Sequence, residues 1–126
     1  MSLQDKTILI VDDDPDVRCF MSDALRSLGY SPVEAEDGNS GIAALERERP
    51  DVLILDYAMP GMTGAEVARE ARVRGHDLPI VFSTGFAETA AIETVLGRNA
   101  PVLRKPFRIR DLQEVLDRVL SGRLRS

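Results

Sequence analysis

Short apolar runs that do not alternate constrain this chain more than any other feature. Thr7-Ile8-Leu9-Ile10-Val11 and Val52-Leu53-Ile54-Leu55 are almost wholly β-branched or aliphatic. A strand with one wet face alternates apolar and polar residues. A run without alternation is covered on both faces, as in a parallel sheet under helices. Between the runs lie segments of helical period. With Asp14 as N-cap and Pro15 as first helical residue, Val17, Phe20, Met21, Ala24, Leu25 and Leu28 recur at steps of three and four, and Gly29 closes the helix. Residues 39–49 read as a second helix, with Ile42, Ala43 and Leu45 inward and Pro50 as its stop. Further helices are expected over 64–74, 87–96 and 109–120, the last with Leu112, Val115, Leu116 and Val119 on one stripe. Residues 79–83 and 101–104 read as strands. Ser31–Ala35 is a weaker strand, and Pro32 within it argues for a sheet edge.

Five strands alternating with five helices through short connections make a parallel sheet with helices on both faces. With the second strand at an edge and the first and third central, the strand order is 2-1-3-4-5, a flavodoxin-like doubly wound α/β fold. The 126 residues make one domain; residues 1–5 receive no structural weight and 121–126 read as a tail. Sixteen Lys and Arg against 21 Asp and Glu leave a net charge of −5, which disfavours direct contact with nucleic acid. No apolar stretch approaches the ~20 residues of a membrane span. Cys19, the single cysteine, has no intrachain partner, which fits a reducing, cytoplasmic setting.

Ligands of such folds bind beyond the carboxyl ends of the strands. Asp12-Asp13-Asp14 follows the first strand, Asp56 the third, Ser83 and Thr84 the fourth, and Lys105-Pro106 the fifth. Carboxylates, a hydroxyl and an ammonium therefore converge on one cleft. Asp12, Asp13 and Asp56 repel one another there, which raises their proton affinity or demands a cation. A hard divalent ion with oxygen ligands, most simply Mg²⁺, relieves that repulsion. A carboxylate beside it can attack phosphorus, with Lys105 offsetting charge on the transferring oxygens.

The segments Asp12-Asp13, Leu55-Asp56-Tyr57-Ala58-Met59-Pro60-Gly61-Met62-Thr63-Gly64, Phe82-Ser83-Thr84-Gly85 and Arg104-Lys105-Pro106-Phe107 closely resemble the receiver domain of two-component response regulators, over about residues 6–120. The resemblance implies a phosphorelay protein, not an enzyme acting on an external substrate. Asp56 is then the phosphoacceptor. Asp13, Asp56 and the Ala58 carbonyl ligate Mg²⁺ (or Mn²⁺), and Asp12 holds a metal-bound water. Thr84 is the switch hydroxyl and Lys105 the phosphate-binding lysine, aimed by a cis bond to Pro106. The implied phosphodonor is a histidine kinase or a histidine phosphotransfer protein, docking around the cleft and the first helix. Phosphorylation-dependent dimerisation belongs to the same expectation.

Two positions depart from the family pattern. Val102 stands where many members carry a rotating aromatic, which puts coupling to Thr84 in doubt. Ala58 and Phe86 occupy the positions that tune hydrolysis, and neither can hydrogen-bond water, so a long-lived phosphoryl group is expected. Val102 and the loop 57–62 also look similar to receivers attached to hybrid histidine kinases. Three other readings stand beside this one. Asp12-x-Asp14 superficially fits a haloacid-dehalogenase phosphohydrolase, but a later acidic pair is missing. A flavodoxin-like electron carrier is disfavoured by the acidic first loop. A purely interacting receiver is disfavoured by the complete cluster. His76, in a polar loop, and Arg69, Arg72 and Arg74 read as solvated; Asp14 reads as a helix cap; Met59 and Met62 read as packing or partner contacts.

Overall fold

The structure, a computed structural model, describes residues 6–85, Ile92 and 101–124. It contains β1 (Thr7–Val11), α1 (Pro15–Ser27), β2 (Ser31–Ala35), α2 (Gly38–Glu48), β3 (Val52–Asp56), α3 (Gly64–Val73), β4 (Ile80–Thr84), β5 (Val102–Arg104) and α4 (Ile109–Leu124). The strands form one parallel sheet in the order β2-β1-β3-β4-β5, as the sequence pattern predicts. The expected helix over 87–96 lies outside the described residues, apart from helical, buried Ile92. Phe86 and residues 1–5 lie outside them too.

Each face of the sheet carries its own core. Leu9, Val11, Leu53, Leu55 and Phe82 pack with Ile42, Leu45, Val67 and Ala71 of α2 and α3. Ile8, Ile10, Ile54, Val81 and Leu103 pack on the other face with Met21 and Leu25 of α1 and Leu112, Val115 and Leu116 of α4. Successive strand residues feed opposite cores, which is why the runs contain no polar alternation.

Local signals set the helix ends. Asp14 caps α1 by accepting from Asp16 N at 2.9 Å. Reciprocal capping boxes start α2 with Asp37 and Ser40, and α3 with Thr63 and Glu66. Gly29, at φ 95°, turns the chain out of α1 into β2.

Three expectations need correction, two of them inward assignments. Phe20 is 44% exposed, because Met21, Ala24 and Leu25 fill the core face and leave it on the flank against Phe107, ring centroids 5.8 Å apart. Ala44, not Ala43, faces the core of α2, because it lies nearer the centre of the stripe of Gly38, Gly41, Ile42 and Leu45. The expected tail from 121 continues α4 to Leu124. Gly122 costs such a helix only ~1 kcal/mol, too little to end it while Val119 and Leu120 pack the core.

Candidate functional site

β3 and β4 each run one residue further than the apolar pattern suggests, so that Asp56 and Thr84 are last strand residues rather than loop residues. Tyr57 N donates to Ser83 O at 3.0 Å, and Lys105 N to Thr84 O at 2.7 Å. Backbone hydrogen bonds thus bring the ends of β3, β4 and β5 to one rim. The Lys105–Pro106 peptide is cis.

Asp12 is held from both sides. Its N donates to Ala35 O at 3.2 Å, its Oδ1 accepts from Asp14 N at 2.9 Å, and its carbonyl accepts from Arg18 Nη1 at 2.7 Å. Arg18 in turn pairs with Glu34, which also accepts from the buried Ser22 hydroxyl at 2.7 Å. The sequence reading did not find this support, because it joins α1 to the edge strand across the fold.

Asp12, Asp13 and Asp56 each place a carboxylate oxygen within 4.8 Å of the others. Asp12 and Asp56 are buried and Asp13 is exposed. Lys105 Nζ lies 3.2 Å from Asp12 Oδ2 and 3.5 Å from Asp56 Oδ1. Among the described residues Asp12 Oδ2 accepts no hydrogen bond of good geometry; the ammonium is its counterpart. Asp56 Oδ1 also takes a long bond, 3.3 Å, from Ala58 N. Burial, then the Asp12 charge, pushes the Asp56 carboxyl up to about 6, against the opposing pull of Lys105 and the Ala58 N–H. Burial works against the charge on Lys105, but attraction to Asp12 and Asp56 holds its pKa above the usual lysine value.

Three carboxylates against one ammonium leave the cluster short of positive charge. Its metal-donor atoms are all carboxylate oxygens, gathered within 4.8 Å of one another. That set fits a hard divalent cation. Thr84 is buried at the end of β4, and its hydroxyl donates to Gly85 O at 3.1 Å. Ala58 is exposed beside Asp56. The structure therefore gathers Asp12, Asp13, Asp56 and Lys105 into one cluster, with Ala58 and Thr84 on its rim. Asp14 sits beside them as the expected cap.

Other polar residues differ from expectation. His76 is not solvated: its side chain is 10% exposed and pairs with Glu46 of α2. Arg74 bridges Glu70 and Glu46, and Arg72 Nη1 donates to His76 O at 2.8 Å, so two of the three arginines tie α3 to its surroundings. These contacts lie across sequence gaps that helical periodicity does not register. Met59 is core, and Met62 packs against it. Val102 is half-buried opposite Phe82 in register.

Residues 8–117 match the family described as the response regulator receiver domain. Response regulator receiver protein CpdR of Brucella abortus is 40% identical over 116 residues, 91% of this chain and 97% of that protein. The probable transcriptional regulatory protein TcrX of Mycobacterium tuberculosis is 38% identical over 86% of this chain, which spans 47% of its length. Chemotaxis protein CheY4 of Vibrio cholerae superposes with a TM-score of 0.80 at 30% identity, covering 91% of this chain and 98% of that one. TrrA of Thermotoga maritima, solved in complex with Mg(2+)-BeF, gives 0.78 at 31%, covering 90% and 98%.

Proposed function

The chain belongs to the response regulator receiver domain family, and from that premise we propose that Asp56 accepts a phosphoryl group from a phosphohistidine donor. Receiver domains take part in two-component signalling as phosphoacceptors. The observation that carries the residue-level reading is the cluster of Asp12, Asp13 and Asp56 closed by Lys105.

In the transfer, an Asp56 oxygen attacks phosphorus. A P–O bond forms as the P–N bond of the donor breaks, and the imidazole nitrogen leaves with the electron pair. The attacking carboxylate must be ionised, and a carboxyl held at about 6 is largely so at neutral pH. Asp13, Asp56 and the Ala58 carbonyl are the residues to hold Mg²⁺ or Mn²⁺, with Asp12 behind them. A bound divalent ion supplies charge neutralisation for the phosphoryl oxygens. Lys105 follows the phosphoryl group, exchanging its contact with Asp56 for one with the incoming oxygens. Thr84 turns its hydroxyl from Gly85 O toward the same group. That rearrangement biases a pre-existing equilibrium of the loops at the cleft.

The chain acts as a relay rather than as an enzyme with an external substrate. Its donor is a histidine kinase or histidine phosphotransfer protein. A groove of about 510 Å³ beside Lys105, lined by Val17, Phe20, Pro106 and Phe107, gives that donor an apolar foothold. A cytoplasmic location suits such a donor, and no described helix is long and apolar enough to cross a membrane. Asp14 is committed to capping α1, which argues against the phosphohydrolase alternative.

Intact mass after incubation with acetyl phosphate tests the reading. One phosphoryl group is expected on the wild type with Mg²⁺, none without it, and none on Asp56→Asn. A lack of adduct despite demonstrated Mg²⁺ binding would sink it. The lifetime of the adduct, read the same way, tests the expectation drawn from Ala58.

A further inference from the structure

The acidic cluster depends on a peptide as much as on its carboxylates. One planar unit joins Asp12 to Asp13, so the direction of the Asp12 carbonyl also fixes the Asp13 N–H and the point from which the Asp13 side chain starts. β1 ends at Val11. Asp12 N still donates to Ala35 O at 3.2 Å, and beyond it the segment leaves the sheet.

A guanidinium from α1 sets the plane of that peptide. Arg18 Nη1 donates to Asp12 O at 2.7 Å, a charge-assisted bond. The Arg18 side chain is 17% exposed, so water competes little for it. The guanidinium is held in its turn. Its Nε donates to Glu34 Oε1 at 3.3 Å, and the other Glu34 oxygen accepts from Ser22 Oγ at 2.7 Å. Ser22 is 1% exposed and lies one helical turn after Arg18, on the same side of α1. Glu34 stands on the edge strand β2, opposite Ile10 in register. Ser22, Glu34 and Arg18 form a continuous chain of donors and acceptors that runs from buried α1 to the Asp12–Asp13 peptide.

We propose, resting on the reading of Asp12, Asp13 and Asp56 as a divalent-cation site, that Arg18 is the positioning residue of that site. Fixed by Glu34 and Ser22, it holds the Asp12–Asp13 peptide in the plane that brings both carboxylates to Asp56. It acts through the peptide and not by contact with the ion. By charge alone a guanidinium beside the site would oppose a cation. Holding the peptide and repelling the ion therefore have opposite signs, and removing the side chain shows which prevails.

The test is calorimetric titration of the full chain with Mg²⁺, well below the melting temperature. It compares wild type, Arg18→Met, Arg18→Lys, Ser22→Ala and the double variant of Arg18→Met with Ser22→Ala. Arg18→Met removes the fork and its charge but keeps much of the stem. Its Mg²⁺ affinity is expected to fall about tenfold, as when support behind a metal ligand is lost. Arg18→Lys can still donate to the Asp12 carbonyl but has no fork for Glu34 to hold, so its affinity should lie between those of Arg18→Met and wild type. Ser22→Ala changes no charge and should weaken binding about threefold, the scale of one hydrogen bond. In the Arg18→Met background it should add nothing, because both residues act through one chain. Tighter Mg²⁺ binding by Arg18→Met would overturn the proposal, since repulsion would then be the side chain's main effect. Unchanged affinity with a lower metal-free melting temperature would overturn it as well, marking a merely structural residue. Additive losses in the double variant would remove Ser22 from the chain. A wild type that binds no Mg²⁺ overturns the cation-site reading itself.

Discussion

At the scale of single residues, Asp56 stands where burial and the charge of Asp12 both oppose its ionisation. Its folded pKa of about 6 exceeds the ordinary 3.8, so the folded state binds the proton more tightly than the unfolded chain. The stabilisation this gives is complete below about pH 3.8 and is lost as pH rises through about 6. At neutral pH the ionised carboxylate is therefore a burden on the metal-free fold. Asp56→Asn keeps the shape and removes the charge. It is expected to stabilise the metal-free protein by about 1–3 kcal/mol at pH 7, with the gain shrinking toward zero near pH 4. Urea unfolding at the two pH values measures this. Equal stability at pH 7 would mean that Lys105 already compensates the charge.

At the scale of elements, the turn from β3 into α3 is as constrained as the carboxylate it carries. A Cβ on Gly64 would lie 2.5 Å from Asp56 O and 2.7 Å from Tyr57 Cα. These are backbone atoms at the end of a central strand, and they cannot yield without moving Asp56. On Gly38 a Cβ would meet Met62 side-chain atoms at 2.7–2.9 Å, and that side chain can swing away. Gly64→Ala is expected to cost about 1–3 kcal/mol and to weaken Mg²⁺ binding. Gly38→Ala should cost less than about 1 kcal/mol and leave Mg²⁺ binding intact. Denaturant midpoints and Mg²⁺ titration of both variants separate the two cases. At the opposite end of the sheet, Glu46 joins α2 to His76 and Arg74, so these helices reach the rim as a braced pair.

At the scale of the whole molecule, three strand ends must meet before any cation site exists. The unfolded chain has the same carboxylates but scatters them, so a divalent ion binds the folded state preferentially. Mg²⁺ should raise the melting temperature, with each tenfold rise above the dissociation constant adding about 1.4 kcal/mol. Asp13→Asn should blunt that response while leaving the metal-free melting temperature nearly unchanged, because Asp13 is exposed. A Mg²⁺ response in Asp13→Asn equal to that of wild type would remove this residue from the site. The net charge of −5 adds only a diffuse attraction, which salt would screen.

The amino-acid sequence by itself determined the parallel sheet, its strand order and the rim on which the chemistry sits. Those follow from local periodicity: unbroken apolar runs, amphipathic helices between them, a proline in the edge strand, and polar residues placed just after each buried run. The same pattern put Asp12, Asp13, Asp14, Asp56, Ser83, Thr84 and Lys105 on that rim, and the family resemblance gave Asp12, Asp13, Asp56, Thr84 and Lys105 their expected roles. Only the tertiary structure decided what those groups experience. The high pKa of Asp56, the support of Asp12 by Arg18, the pairing of His76 with Glu46 and the outward turn of Phe20 all depend on neighbours distant in the chain. Periodicity reports which face a residue occupies. Electrostatics and hydrogen bonding depend on which atoms meet it there, and that is fixed only when the strands and helices pack.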